Sequence, residues 1–407
     1  MHTLSSGTTR TTSRFTARVI RTDDALARFH EAWDSLWAAD KATDLFGSPG
    51  WFANWWRHFG GKSGEVALVV NDGNEFVPVA GSDWRMHVLA IEDPADGSTL
   101  AVLPLVSVQG RFNRWQGRIL ATPVNGHGPR VALAARRFDA PIVQAFCDAL
   151  VSDRSWDLLM LDGLSCADPR VAAVVTELHA RRLSIRADTR WTQAFLQHPG
   201  SFEALLDARS RQFRKHYRQN ERSLEKLGAI QVDTFTGDSS AEGFQRFVEI
   251  DAASWKSTGG ESLANAPAVL AYYEDLVSRL APAGQAEVWT LSIGGVPAAA
   301  FICLCDQRVR YCLKTSYSQQ FSGSTRISPS QVLLGRIIEH CADHDTRHVD
   351  FLGRLPFVDR WADREIEMTH LVLARPLYAR LLQRLRSLAR SLLARTEHQD
   401  PNQRTDR

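Results

Sequence analysis

The chain reads as a mixed α/β protein built from two copies of one unit, and three observations predict this. Its 407 residues exceed the roughly 100–200 of a typical domain. Helical periodicities alternate with short apolar runs along most of the length. The order of elements also recurs: Leu100–Val108 precedes Trp156-Asp157-Leu158-Leu159 by about the same distance as Val296–Cys305 precedes Val349-Asp350-Phe351-Leu352. With 44% apolar and 23% charged residues and a net charge of +2, the composition is that of a globular chain and excludes collagen-like, low-complexity and wholly disordered classes.

Met1–Arg14 is rich in Ser, Thr and Arg, lacks the apolar core of a signal peptide, and is expected to be a disordered tail. Thr22–Asp24 offers capping oxygens to a helix carrying Leu26, Phe29, Trp33, Leu36 and Trp37. Ser48-Pro49 opens a second, with Trp51, Phe52, Trp55 and Trp56. Extended segments follow at Val66–Val70 and Thr99–Val108, then a helix over Phe138–Ser152, a strand over Trp156–Leu161 ending in Asp162-Gly163, and a helix over Pro169–Arg182. The second half begins with a strand at Thr192–Gln197 and one long charged helix, Ser201–Leu227, ended by Gly228. Strand Ile230–Phe235, helices Ala241–Lys256 and Pro267–Leu280, and strands Glu287–Ser292, Val296–Cys305 and Val309–Tyr317 come next. Ser328-Pro329 starts a helix to about Cys341, before strand His348–Leu352.

The expected domains are 15–197 and 198–374, followed by a basic amphipathic helix and disordered tail over 375–407. That last stretch has eight Arg, no Lys and three acidic residues, with leucines at 377, 381, 385, 388 and 392 on one helical face. It reads either as a helix docked on the second domain or as a membrane-surface helix over 375–395. Six cysteines without a CxxC pair suit a reducing compartment, so the cytoplasm is expected, with any membrane contact peripheral at the inner face. The longest apolar runs reach about half of the roughly 20 residues needed to span a bilayer.

Arg209–Lys226 holds seven basic and two acidic residues. Arg211, Lys215, Arg218 and Arg222 form a ridge beside the apolar stripe Phe213, Tyr217, Leu224, Leu227, suited either to a phosphorylated ligand or to solvent. Overall charge argues against DNA. Val309–Tyr317, the loop Phe321–Arg326 and the helix start Ser328-Pro329-Ser330-Gln331 form a strand, loop and helix N-terminus with free N–H groups, an arrangement that suits a pyrophosphate but is also an ordinary helix start. Asp350, at a strand end before Gly353, would either orient a nucleophile or cap a turn. Trp255–Gly260 fits a covering loop or a plain helix end. His340, His344 and His348 read as solvated rather than metal-binding, and the cysteines at 303, 305 and 312 as buried small residues. Walker, GxGxxG, HExxH and GxSxG motifs are absent from the sequence.

Taken in order, Phe46–Trp56, Leu103-Pro104-Leu105, Phe213–Gly228, Trp255–Gly260, Ser328-Pro329 with Leu333-Leu334, and Asp350-Phe351-Leu352-Gly353 with Phe357 and Trp361 resemble the CelD-like branch of the GNAT acyltransferase superfamily. The resemblance covers about Phe15–Leu373. It implies two tandem GNAT-like domains, related in plan to Fem-type peptidyltransferases, and acyl transfer in cell-envelope, cellulose or exopolysaccharide biosynthesis. The implied donor is acyl-CoA, such as acetyl-CoA, without a metal; the acceptor is a sugar, amine or lipid-linked molecule. Asp350 and Tyr317 are the implied catalytic residues, Thr315, Ser328, Ser330 and Gln331 the donor-binding ones, and Arg218, Arg222, Lys256 and Arg360 the phosphate or substrate contacts. Two features depart from the family pattern: Ser324–Gln331 lacks the usual glycines, and Phe357-Val358 stands where a Tyr-Lys pair is common. An aminoacyl-tRNA-dependent enzyme, which would bind RNA, and a non-catalytic accessory of a polysaccharide-synthesis complex are the alternative readings.

Overall fold

The computed structural model describes residues 10–376 apart from 13, 62–75, 79–83, 113–114, 198–199, 260–261, 307–308, 322–327, 345 and 355. The predicted strand at Val66–Val70, most of the loop to Arg326, and the leucine-arginine helix beyond Pro376 lie outside the described residues. Arg10–Thr12 (β1), expected within the loose tail, pairs with Phe15–Ile20 (β2).

The first half continues with α1 (Asp23–Ala39), α2 (Pro49–Phe59), β3 (Phe76–Pro78), β4 (Arg85–Met86), β5 (Val88–Glu92), β6 (Thr99–Leu103), β7 (Val106–Phe112), β8 (Trp115–Ala121), β9 (Ala134–Ala135), α3 (Ala140–Ser152), β10 (Leu158–Ser165), α4 (Pro169–Ala180) and β11 (Ser184–Gln197). The second half holds α5 (Phe202–Ala208), α6 (Arg211–Glu225), β12 (Ile230–Phe235), α7 (Ser240–Ala252), α8 (Trp255–Gly259), α9 (Pro267–Leu280), β13 (Ala286–Ile293), β14 (Val296–Asp306), β15 (Val309–Tyr317), α10 (Pro329–Asp343), β16 (His348–Asp350) and β17 (Arg364–Ala374).

Side-chain caps set the helix starts: Thr22 accepts from Ala25 N at 3.2 Å and Ser48 from Trp51 N at 3.1 Å. The same chemistry divides the helix expected over Ser201–Leu227. Ser201 caps α5, Arg209 is extended, and Ser210 accepts from Phe213 N at 3.1 Å to start α6 afresh. Pro104-Leu105 likewise breaks the expected strand Thr99–Val108, sending β6 and β7 into different sheets.

One sheet runs β1-β2-β5-β6-β9; the other has twelve strands in the order β12-β13-β14-β15-β16-β11-β17-β10-β8-β7-β3, with β4 beside β7. Each half contains a parallel pair joined through a helix, β8 with β10 and β15 with β16, which is the repeated plan. At the seam the halves exchange strands: β11 pairs with β16, and β17 lies between β11 and β10. One hydrophobic core accordingly joins Trp33, Phe52, Trp55, Phe146 and Trp156 of the first half to Phe247, Tyr272, Tyr273 and Tyr311 of the second. A second core lies under α5, α6 and α10 and contains Tyr217, Leu224, Phe301, Leu334, Ile337 and Trp361. Asn54 Nδ2 donates to Tyr272 O at 3.2 Å, and Arg57 pairs with Asp275 at 2.5 Å across the same seam. Arg375 lies over the Trp156 ring at 4.1 Å and donates to Trp156 O, tying the end of β17 to the first half. Among the described residues no helix is long and apolar enough to cross a membrane.

Candidate active site

Strands β15 and β16 run parallel through Val309 opposite His348, Arg310 opposite Val349 and Tyr311 opposite Asp350, and then part. β15 continues to Tyr317 along β14, with a one-residue slip at Leu313 where Ile302 faces Lys314 but Cys303 faces Cys312. On the other side the chain peels away: Phe351 N donates to Ala194 O at 3.0 Å, and Leu352 adopts φ 52°. A non-glycine residue in that region costs about 1–3 kcal/mol and persists where its surroundings fix it. Asp350 supplies the fixing bond by accepting from Leu352 N at 2.8 Å.

This placement corrects the role expected of Asp350. Its side chain is fully buried, and its other carboxylate oxygen accepts from Arg130 Nη2 at 2.7 Å. Arg130 also bonds Gln193, reaches Asp44 at 3.5 Å, and lies over the Phe46 and Tyr311 rings. Burial alone would lower the Arg130 pKa, but Asp350 and Asp44 outweigh it and hold the guanidinium charged. Held in this way, Asp350 caps the turn and joins the halves.

Beyond the bulge β15 has two distinct faces. Thr315 and Tyr317, both half-buried, stand opposite Phe301 and Ala299 of the α10-side core. Thr315 Oγ1 donates to Ala300 O at 3.2 Å. Ser316 faces the opposite way and donates to Asp251 at 2.9 Å. Buried Asp251 also accepts from Leu263 N at 2.7 Å and Ser262 at 3.0 Å; burial pushes its carboxyl up, but these bonds and Lys256 hold it below the usual range. Lys256 donates to Thr315 O at 2.7 Å and lies 3.4 Å from Asp251, so it steadies the strand rather than joining the arginine ridge.

Five expected residues do meet, in a cleft of about 1600 Å³ whose walls include Arg218, Arg222, Ser328, Gln331 and Arg360. Asn220 of α6 clamps the start of α10, accepting from Ser328 N at 2.8 Å and donating to Ser328 O at 2.9 Å. Gln331 accepts from Trp361 Nε1 at 3.1 Å and donates to Phe357 O at 3.2 Å. Ser330 is buried behind them with its hydroxyl unpartnered. Arg209 and Arg214 spend their guanidinium groups on backbone carbonyls. Arg211, Lys215, Arg218, Arg222, Lys226 and Arg360 are exposed along the cleft, and none has a carboxylate partner among the described residues. The Val358 side chain is buried in the α10-side core, and Arg360, two residues on, lines the cleft.

The corresponding gap in the first half is plugged by its own chain. After Ala121 and Met160 the parallel pair opens, and Thr122 bonds both Asp162 O (2.7 Å) and Asp162 N (2.9 Å). Val131 N donates to Gly163 O at 3.1 Å; at Gly163, φ 68°, a Cβ would collide with Pro129 O and Val124. His340 and His344 stack at 3.8 Å, His340 lies edge-on to Trp289, and the described residues include no group of three metal-ligating side chains. Sequence reasoning missed Arg130, Gln193 and Asp251. The Gly-bracketed run Gly126-His127-Gly128-Pro129-Arg130 after a strand was the available signal for the first.

Residues 211–363 match the acetyltransferase (GNAT) domain family, a stretch that includes α6, the parting strands and Arg360. No curated protein matches the chain. Among solved structures, FemX superposes with a TM-score of 0.54 at 12% identity, covering 84% of this chain and 95% of FemX. A conserved protein of unknown function from Bacteroides thetaiotaomicron VPI-5482 gives 0.50 at 9% identity, covering 88% and 100%. A tandem GNAT protein from the clavulanic acid biosynthesis pathway gives 0.40 at 13%, covering 88% and 98%. The chain thus shares its fold with FemX and matches the GNAT acetyltransferase domain over residues 211–363.

Proposed function

We propose that the protein is an acyltransferase that takes its acyl group from an acyl-CoA held in the second half and passes it to an amine or hydroxyl. The observation that carries this reading is the conjunction of the β15/β16 gap with unpartnered arginines at the start of α10. Guanidinium groups there match phosphate oxygens. The thioester would lie along β15, where backbone N–H groups near the bulge at Leu313 would meet charge on the carbonyl oxygen. The acceptor attacks the acyl carbon, the C–S bond breaks, and Tyr317 protonates the thiolate. Arg218, Arg222 and Arg360 contact donor phosphates, while Ser328, Ser330 and Gln331 shape the cleft. The CelD-like resemblance supports an acceptor in envelope or exopolysaccharide synthesis.

Thermal-shift titration tests the donor. Acetyl-CoA at 100 times its dissociation constant should stabilise the protein by about 2.7 kcal/mol, and absence of any shift at millimolar acetyl-CoA contradicts the reading. The Arg211–Lys226 ridge extends about 22 Å along α6, at 1.5 Å per residue, which favours aminoacyl-tRNA as the second reading. Tight tRNA binding that weakens steeply with salt, without an acetyl-CoA shift, would select it.

A further inference from the structure

The segment that plugs the first half's gap also faces the second half's. Arg130 lies over Tyr311, the last rung before β15 and β16 part. His127, three residues back along the plug, meets Tyr273, whose ring faces Lys314, three residues beyond that rung. The plug therefore follows the opened stretch of β15, on the face away from the basic cleft.

His127 is built into this position. Its Nδ1 lies 3.2 Å from Tyr273 Oη, its ring stacks on Phe59 at 6.0 Å and 18°, and its backbone N–H donates to Asn125 Oδ1 at 2.9 Å. The imidazole is half-buried, and Nε2 has no partner among the described residues. Around Gly128 three buried polar atoms have no partner among the described residues: Trp55 Nε1, Asn125 Nδ2 and Tyr272 Oη.

We propose that the plug forms the acceptor wall of the second half's active site and that His127 takes the proton from the attacking amine or hydroxyl of the acceptor. This rests on the acyl-CoA reading above. In the tautomer that directs its Nδ1 proton at Tyr273 Oη, Nε2 presents its lone pair. The acceptor's N–H or O–H proton passes to Nε2, the new C–N or C–O bond forms, the C–S bond breaks, and the leaving thiolate gains a proton from Tyr317. The proton on His127 then returns to solvent and Tyr317 regains its own. Burial, with the charges of Lys314 and Lys256, pushes His127 down to about 4, so the ring is neutral at pH 7. Tyr273 acts as a positioning residue.

The test measures thiol release from acetyl-CoA with glucosamine, and with water alone, alongside acetyl-CoA affinity and thermal stability. His127→Gln should lose about 100-fold or more in kcat at unchanged acetyl-CoA affinity and Tm, and Tyr273→Phe a smaller part of that. Free imidazole should restore activity to His127→Ala, a response that a packing role would not give. Wild-type turnover retained in His127→Gln overturns the inference and leaves the donor reading standing. Acetyl-CoA binding with no thiol release to either glucosamine or water overturns the inference, because a site with a poised base would hydrolyse the thioester. Failure of the wild type to bind acetyl-CoA overturns the donor reading and the inference together.

Discussion

Asp350 and Arg130 show how much one buried pair decides. Removing either partner leaves an uncompensated charge at the joint of the two halves, which typically costs about 3–5 kcal/mol. Asp350→Asn and Arg130→Met should each lower stability by that order in chemical denaturation; loss of activity at unchanged stability would instead return Asp350 to a role in the chemistry. His87, buried 3.2 Å from Asp153, carries a pH signature. Burial is the largest influence and pulls its pKa down to about 4; Asp153 opposes it and Arg21 adds to it. A depressed folded-state pKa contributes stability that is present above the ordinary value of 6.5 and lost as pH falls towards 4. Denaturation midpoints should therefore fall over that window, and His87→Gln should flatten the slope; an unchanged slope would remove His87 as its source. Arginine type and number were legible in the sequence, but Asp350's partner was not, because Arg130 is 220 residues away and only the folded seam brings them together.

At the scale of elements, the contact of α6 with α10 shapes the cleft. Gly335 of α10 has no room for a side chain, since a Cβ there would strike the Tyr217 ring and hydroxyl. Gly335→Ala should cost about 1–3 kcal/mol by overpacking. Tyr217→Phe, which removes a buried hydroxyl with no partner, should be neutral or stabilising. Equal stability of Gly335→Ala and wild type would show that the helices part freely. Helix starts and the apolar stripe of α6 could be read from spacing and caps, because both are local. The restart at Ser210 was hidden because the residues on either side of it all favour helix. β17 was missed for the opposite reason: Arg-Glu-Ile-Glu-Met-Thr-His carries few apolar residues, and it becomes a strand through its neighbours β10 and β11.

For the whole molecule, the exchange of β11 and β17 makes the two copies one body rather than two beads. Each half of the chain on its own would leave strand edges and core aromatics open. Unfolding of the full chain should be a single transition by fluorescence and circular dichroism, and separately expressed 15–197 and 198–374 should fail to fold; two resolved transitions would contradict this. The repeat was visible in sequence as spacing, while the crossing at the seam has no local signature. The first half closes its own gap, while along the cleft of the second Arg218, Arg222 and Arg360 have no carboxylate partner among the described residues. The most direct measurement is calorimetric titration of acetyl-CoA into the wild type and into the triple variant Arg218→Ala, Arg222→Ala, Arg360→Ala at one salt concentration. Hydrogen bonds to charged groups are worth about 1.5–3 kcal/mol each, so the triple variant should bind at least about 100-fold more weakly with its fold intact. Equal affinity of the two proteins, or no binding by either, would contradict a phosphate-bearing donor in this cleft.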